Sequence, residues 1–296
     1  MCNTKILICL LFKNSSIWLS RFMGCLENLI RTKPENITYY LSVIYGNSTD
    51  NTDTEVKRQM NVLLDKYGNS HNLKLKMSNF SLPKRLHTIE KLAILRNACV
   101  DQCIDKEYDY VIQIDTDVIF TPLSVMKLIK TIKNNEDIWE NKLNVGIIAP
   151  FVLIEDSNNL FYDSWAYRRK AGEKVQMFSP SRPYVPIEID FKNPEKNVEI
   201  MNKTMDETIN KGIFEVESVG TMYICRANIF SKFGVKYRTE ERSEEERKKV
   251  YYNKKYESEQ VVFCRDVKEK TEYRIYTDAD IIVNHINLEA IGLMWH

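Results

Sequence analysis

The segment Tyr110-Val111-Ile112-Gln113-Ile114-Asp115-Thr116-Asp117-Val118-Ile119-Phe120 limits the fold more than any other part of the chain. Apart from Gln113 its first five residues are β-branched or aromatic, and neither Gly nor Pro interrupts them. Such a run suits a central strand of a parallel sheet covered on both faces. A strand over Tyr110 to Ile114 ends in Asp115 and Asp117, at the sheet edge where open α/β sheets bind ligands. Two ionised carboxylates about 4 Å apart, at an effective dielectric near 20, repel by roughly 4 kcal/mol. A divalent cation offsets that repulsion, and hard oxygen ligands suit Mg²⁺ or Mn²⁺ with a diphosphate filling the remaining positions. The alternative has Asp115 capping the next helix and Asp117 solvated in a loop.

The flanking sequence alternates between strand and helix periods. Lys5 to Phe12 reads as a strand, and Ser15-Ser16 opens a helix running to Arg31 with Trp18, Phe22, Cys25 and Leu29 at helical spacing. Asn36 to Tyr45 reads as a second strand, followed by a turn from Gly46 and a helix carrying Val56, Met60 and Leu63 up to Gly68. Leu73 to Met77 is a third strand. The helix from Leu86 to Ile104 places Ile89, Leu92, Leu95 and Cys99 on one face. After the aspartates, Thr121-Pro122 starts a helix, with Pro at its favoured first position, and Val145 to Ile154 is the next strand. This order predicts an α/β fold with a mostly parallel, doubly wound central sheet flanked by helices. Residues 155 to 215 lose the periodicity and carry aromatic and proline-containing segments of the kind that supply binding loops. Beyond them, Phe214 to Cys225 reads as a strand containing Gly220, residues 239 to 250 as a solvated charged stretch, Glu257 to Val267 as a helix, and Tyr273 to Tyr276 and Ile281 to Val283 as strands.

Composition narrows the function classes. With 42 Lys plus Arg against 41 Asp plus Glu, no overall field recommends nucleic acid or an anionic membrane as partner. The seven cysteines mostly sit in apolar runs without a C-x-x-C pair, which predicts buried free thiols rather than a zinc ribbon. The apolar run Ile6 to Phe12 ends in Lys13-Asn14 without a cleavage site, and no stretch approaches 18 apolar residues. Absence of these signals predicts no transmembrane segment and a cytoplasmic location.

Other residues stand where they could join the aspartates. His285 follows an apolar strand as Asp115 and Asp117 do, and two carboxylates with one imidazole make a Mn²⁺ set once the fold brings them together. Arg96 lies on the helix entering the aspartate strand. It is either solvated or turned inward to bind a diphosphate or fix Asp115. Asp163 sits among Tyr162, Trp165 and Tyr167, the combination of rings and acid that holds sugars, or else a core cluster with an exposed Asp. Glu257 and Glu259 open a helix whose dipole favours them, leaving one of the two to face a reacting hydroxyl. Ser15, between the first strand and its helix, could touch a nucleotide. Gly220 would let backbone approach a donor or acceptor closely.

Six segments, taken in order, resemble the GT-A glycosyltransferases and, within them, the fungal Golgi α-1,6-mannosyltransferases of the mannan-polymerase type. They are Leu92-Ala93-Ile94-Leu95-Arg96-Asn97, Asp115-Thr116-Asp117, Tyr162-Asp163-Ser164-Trp165, Val219-Gly220-Thr221-Met222, Glu257-Ser258-Glu259 and Asn284-His285-Ile286-Asn287. The segment Phe161-Tyr162-Asp163-Ser164-Trp165 also resembles the fungal capsule-associated mannosyltransferase family. The resemblance implies a single GT-A (Rossmann-like) catalytic domain over 1–296. Residues 1–154 form the nucleotide-sugar-binding half, and 155–296 an irregular acceptor-side half that completes the metal site. It implies Mn²⁺-dependent (or Mg²⁺-dependent) transfer from a nucleotide-diphosphate sugar, with GDP-mannose as donor, retention of configuration, and a glycan or protein as acceptor. Asp115, Asp117 and His285 fall at the metal, and Arg96 and Asp163 around donor and sugar; Ser15 or Ser16 at the nucleotide, Gly220 at donor or acceptor, and Glu257 and Glu259 as catalytic candidates rest on the residue readings above. The relatives carry an N-terminal membrane anchor that this sequence does not show, and Asp163-Ser164-Trp165 is more compact than the mannan-type pattern.

Two other functions fit the same outline. A sugar-phosphate nucleotidyltransferase uses a similar sheet, but it normally carries a Gly-rich, Arg- or Lys-bearing loop where this chain has Phe12-Lys13-Asn14-Ser15-Ser16. A non-catalytic partner subunit, in a homo- or hetero-oligomer, would have no need of Asp115, Asp117 and His285 together. The metal reading makes one geometric demand: Asp117 and His285 must meet, with ligand atoms on the order of 5 Å apart or less.

Overall fold

The computed structural model describes residues 3–71, 73–103, 107–134, 144–155, 212–244 and 255–286, with the backbone of three short strands between 168 and 186. The first half follows the predicted alternation. It comprises β1 (Thr4–Phe12), α1 (Ser16–Arg31), β2 (Ile37–Tyr45), α2 (Thr52–Tyr67), β3 (Lys74–Asn79), α3 (Thr88–Asp101), β4 (Tyr110–Asp115), β5 (Val118–Ile119), α4 (Pro122–Asn134) and β6 (Val145–Ile154). The second half adds β7 (Arg168–Arg169), β8 (Phe178–Ser179), β9 (Arg182–Pro186), β10 (Ile213–Ser218), β11 (Met222–Arg226), α5 (Asn228–Ser231), α6 (Glu259–Lys270) and β12 (Arg274–His285).

One ten-stranded sheet organises the molecule, in the order β3-β2-β1-β4-β11-β6-β12-β10-β7, with β5 paired to β12. Strands β1 to β4, β6 and β12 share one direction, while β10 and β11 run against them. The sheet is therefore mixed and mostly parallel. Two details differ from the sequence reading. Phe214 to Cys225 is not one strand: β10 and β11 are separated by Val219-Gly220-Thr221, and β11 inserts between β4 and β6. The two short C-terminal strands are one, β12, whose register against β6 slips between Asp278 and Ile282.

Helices cover both faces. The core beneath α1, α2 and α4 holds Ile112 and Ile114 of β4, and the core beneath α3 and α6 holds Val111, Tyr223 and Phe263. Successive strand residues point to opposite faces. Tyr110, Ile112 and Ile114 therefore face α1 and α4, and Val111, Gln113 and Asp115 face α3 and α6. That parity decides which helices can reach Asp115.

Helix α3 starts with a reciprocal cap: His87 Nδ1 accepts from the Ile89 amide, and Glu90 Oε2 accepts from the His87 amide. Its buried residues are Ile89, Ala93, Arg96, Cys99 and Val100. The inward face is thus rotated from the one the leucines suggest, because Arg96 occupies it and Leu92 and Leu95 sit at its margin. Helix α6 docks through Phe263, which stacks on Tyr237 at 4.3 Å and on Phe230 at 5.3 Å. Asn97 bridges the two layers by donating from Nδ2 to the Tyr237 carbonyl (2.7 Å) and accepting from the Tyr237 amide at Oδ1 (2.9 Å).

Among the described residues the free thiols are Cys9, Cys25, Cys99, Cys103, Cys225 and Cys264, all but Cys25 buried. Among the described residues no helix is long and apolar enough to cross a membrane.

Candidate active site

The carboxyl ends of β4 and β12 meet as the metal reading requires. After Asp115 the chain turns through Thr116, whose hydroxyl donates to the Leu11 carbonyl at 3.2 Å, and enters β5. In β5, Val118 pairs with His285 and Ile119 with Asn284, antiparallel, and the Ile286 amide donates to the Asp117 carbonyl at 2.9 Å. This bridge places Asp117 beside His285, with Nε2 and Oδ2 3.1 Å apart, although 168 residues separate them (285 − 117).

The imidazole is fixed from behind. Its Nδ1 lies 2.8 Å from the Ile286 carbonyl, the arrangement in which Nδ1–H donates and Nε2 is presented forward. Burial opposes a charge on the ring, but the adjoining Asp117 carboxylate outweighs it and raises the His285 pKa. Burial likewise opposes ionisation of Asp117, and His285 outweighs it and holds that carboxyl below its usual range. Asp117 Oδ1 is buried with no hydrogen-bond partner among the described residues. A buried carboxylate oxygen without a partner is costly.

Asp115 has different neighbours. Arg96 is 3% exposed and forks between two acids: Nη2 donates to Asp115 Oδ1 and Nε to Glu259 Oε1, both at 2.9 Å. Burial pushes the Asp115 pKa up against the pull of Arg96, and the Asp117 carboxylate adds to the rise, to about 6. The Asp115 amide donates to the carbonyl of Thr221 at 2.8 Å. Thr221 itself is buried with φ 56°, a left-handed conformation that is a genuine outlier for a β-branched side chain.

Arg96, Asp115 and Glu259 thus form one contact group and Asp117 and His285 a second, joined by the step from Asp115 to Asp117 along the chain. Ser15, Gly220 and Glu257 have other surroundings. Ser15 is buried, its hydroxyl donating to the Lys13 carbonyl and its amide to Thr52 Oγ1, so its side chain faces the protein. Gly220 is buried in the β10–β11 turn, where the left-handed residue is its neighbour Thr221. Glu257 precedes α6 and accepts from Arg242 at 2.6 Å. The Glu259 carboxylate is 2% exposed and accepts from Arg96 Nε at 2.9 Å. Asp163, with most of 155 to 215, lies outside the described residues.

Sequence reasoning missed Thr221 and Gln113. Gln113, on the Asp115 face of β4, is 1% exposed with neither amide atom bonded among the described residues. A lone polar residue in an otherwise apolar strand was its signal. Thr221 stood out only within Val219-Gly220-Thr221-Met222, and its residue type gave no sign of its backbone, since left-handed backbone is expected of Gly, Asn or Asp.

The donor set suits a cation in part. Asp117 and His285 fit one: an ionised oxygen and an oriented imidazole nitrogen face each other, and a second carboxylate oxygen lacks a partner among the described residues. Asp115 instead pairs with Arg96. Accordingly, among the described residues no three His, Cys, Asp or Glu side chains converge tightly enough to enclose an ion by themselves.

The fold has relatives among solved structures. Residues 1–349 of TarS from S. aureus superpose on 97% of this chain and 62% of theirs, with TM-score 0.52 and 12% identity. The mannosyltransferase PcManGT from Pyrobaculum calidifontis, solved with GDP-Man and Mn2+, matches 97% of this chain and 57% of its own, with TM-score 0.49 and 10% identity. The chain thus spans less than two thirds of either relative, and a comparison with curated proteins finds no match. The architecture is that of a GT-A-like glycosyltransferase, an α/β domain with its carboxylates at the carboxyl edge of a mostly parallel sheet. More specifically, residues 5–270 match the family model described as Cryptococcal mannosyltransferase 1, and the chain belongs to that Cap59 mannosyltransferase family.

Proposed function

We propose that this chain transfers mannose from a nucleotide-diphosphate donor, GDP-mannose, to a glycan or protein hydroxyl, with a divalent cation held by Asp117 and His285 and flanked by Asp115. The observation that carries the reading is the Asp117–His285 contact, beside which Asp117 Oδ1 has no partner among the described residues. When bound, Mn²⁺ or Mg²⁺ supplies charge neutralisation at the donor diphosphate.

The protein groups divide the remaining work. The Nδ1–H bond to Ile286 stops the His285 ring from turning and leaves Nε2 as its acceptor atom. The β5–β12 bridge fixes the backbone on which both side chains stand, so little rearrangement accompanies donor binding. Arg96 holds one oxygen of Asp115 and keeps the carboxylate from swinging toward Asp117. Asp163 is assigned to the donor sugar and the outcome is retention, both on the family resemblance. Glu257, tied to Arg242, braces the segment before α6.

The test is a product assay with a panel of nucleotide sugars, with and without Mn²⁺. Mn²⁺-dependent release of GDP from GDP-mannose, or transfer of mannose, is the expected result. Equal turnover after chelation removes the cation from the mechanism, and turnover of a sugar phosphate with a nucleoside triphosphate instead shows a nucleotidyltransferase.

A further inference from the structure

The family and the cation reading leave unexplained why a buried arginine, a group that would neutralise Asp115 by itself, is shared with a second acid. Arg96 is 4% exposed in its side chain, Glu259 2%, and the two are joined at 2.9 Å. Glu259 opens α6, and Ser258 caps the helix by accepting from the Gln260 amide. The helix is pinned by the Phe263 stack, so the carboxylate is held rigidly. Glu259 lies among side chains while Asp115, one-third exposed, is the acid nearer solvent.

Charge counting gives the arrangement a purpose. With the imidazole neutral, Asp115, Asp117 and Glu259 carry three negative charges against one positive charge on Arg96, so the site is doubly negative. Without the charge on Glu259, Arg96 would serve Asp115 as a full counter-ion, and only one negative charge would remain to attract a divalent ion. We infer that Glu259 is a positioning residue that neutralises Arg96, so that the arginine orients Asp115 by hydrogen bonding without cancelling the attraction of the aspartate pair for a divalent cation.

This inference rests on the cation reading, and the experiment separates the two. Mn²⁺ affinity is measured on the full chain by electron paramagnetic resonance titration at pH 8, without donor or acceptor, for wild type, D117A, E259Q and the double variant R96Q/E259Q. The amide introduced by E259Q retains an oxygen that accepts from Arg96, so the contact persists while the charge is gone. Wild type binds Mn²⁺ and D117A does not. E259Q binds about 10- to 100-fold more weakly than wild type, the size usual for a group behind the ligands. The double variant, which restores the net charge by removing cation and counter-ion together, binds more tightly than E259Q.

A role confined to packing predicts the reverse order, since two buried substitutions disturb the fold more than one. Equal Mn²⁺ affinity of wild type and E259Q, or a double variant no tighter than E259Q, overturns the inference while leaving the cation site standing. Failure of the wild type to bind Mn²⁺ overturns both. Thermal melts accompany each titration, and if E259Q melts well below wild type the comparison is made between R96Q and R96Q/E259Q. With no arginine left to neutralise, removing the acid there leaves Mn²⁺ binding nearly unchanged, and a marked loss of binding overturns the inference.

Discussion

The half of the sheet made before residue 155 and the half made after it serve the site in different ways. Strands β1 to β4 are laid down by local β-α alternation, and they deliver Asp115 to the carboxyl edge with little help from distant sequence. The later half reaches the same edge by long-range pairing: β11 runs backwards beside β4, β12 returns to bond β5, and α6 lies over the face that Arg96 occupies. The early half supplies the carboxylates. The later half supplies what makes them usable, namely the imidazole, the counter-ion to Arg96 and the backbone clamp at Thr221. A position can thus be set by local order while its chemistry is set by non-local contacts.

The sharpest way to break this division is to remove one member from each half. D117A and H285A should each lower donor turnover by about 100- to 1000-fold, the loss typical when one group stabilising transition-state charge is deleted. Circular dichroism should remain that of the wild type, because both residues sit at strand ends. An active H285A would show that the early half works alone.

The next largest effect concerns the fold. F263A removes the ring that stacks on both Phe230 and Tyr237 and should cost about 3–5 kcal/mol. Urea unfolding measures it. Because α6 carries Glu259, a folded F263A should also bind donor more weakly, linking packing in the later half to chemistry at the edge.

Thr221 sharpens the comparison at lower amplitude. Its left-handed backbone costs about 1–2 kcal/mol for a residue with a Cβ. T221G relieves that strain but loosens the turn, so its melting temperature should stay within a few degrees of wild type while the donor KM rises. A T221G variant that is markedly less stable, with unchanged KM, would assign the turn to folding alone.

The smallest effect lies away from the site. Burial opposes the charge on Asp266, but two hydrogen bonds from Arg238, each 2.8 Å, outweigh it and hold the carboxyl below its usual range. A carboxyl depressed in the folded state stabilises the fold above its unfolded pKa, about 4, and loses that contribution as pH falls through the folded value. D266N should therefore be less stable than wild type at pH 7, with the gap narrowing below pH of about 4. The gap should be modest, since the Arg238 side chain is 47% exposed and solvent screens the pair. Urea melts at the two pH values read it directly.

The early half was legible in the sequence because its information is local. The run Tyr110 to Ile114 announces a buried strand, Pro122 a helix start, and the alternation before them a parallel sheet. Periodicity misread the inward face of α3, because it counts leucines and is blind to a buried arginine whose two acids lie 19 and 163 residues away. The same limit hid the split of 214–225 into β10 and β11, since an apolar run does not say where a strand reverses. Asp117 and His285 were paired by the chemistry of their residue types, and the contact follows from the β5–β12 register, which no local pattern encodes. The role of Glu259 changes for the same reason: next to Ser258 it looks like an acid at a helix start, and only the fold sets it against Arg96.

The central claim is that donor and cation are recognised together at the Asp117–His285 contact. A thermal melt of the whole chain with GDP-mannose and Mn²⁺, singly and together, tests it. At about 100 times its dissociation constant a ligand stabilises a fold by about 2.7 kcal/mol, a rise of roughly 5 °C for a chain of this size. The account predicts that adding GDP-mannose gives that rise in wild type only when Mn²⁺ is present, on top of any rise from Mn²⁺ alone, and that the donor-dependent rise is lost in H285A. The same rise without Mn²⁺, or in H285A, would contradict it.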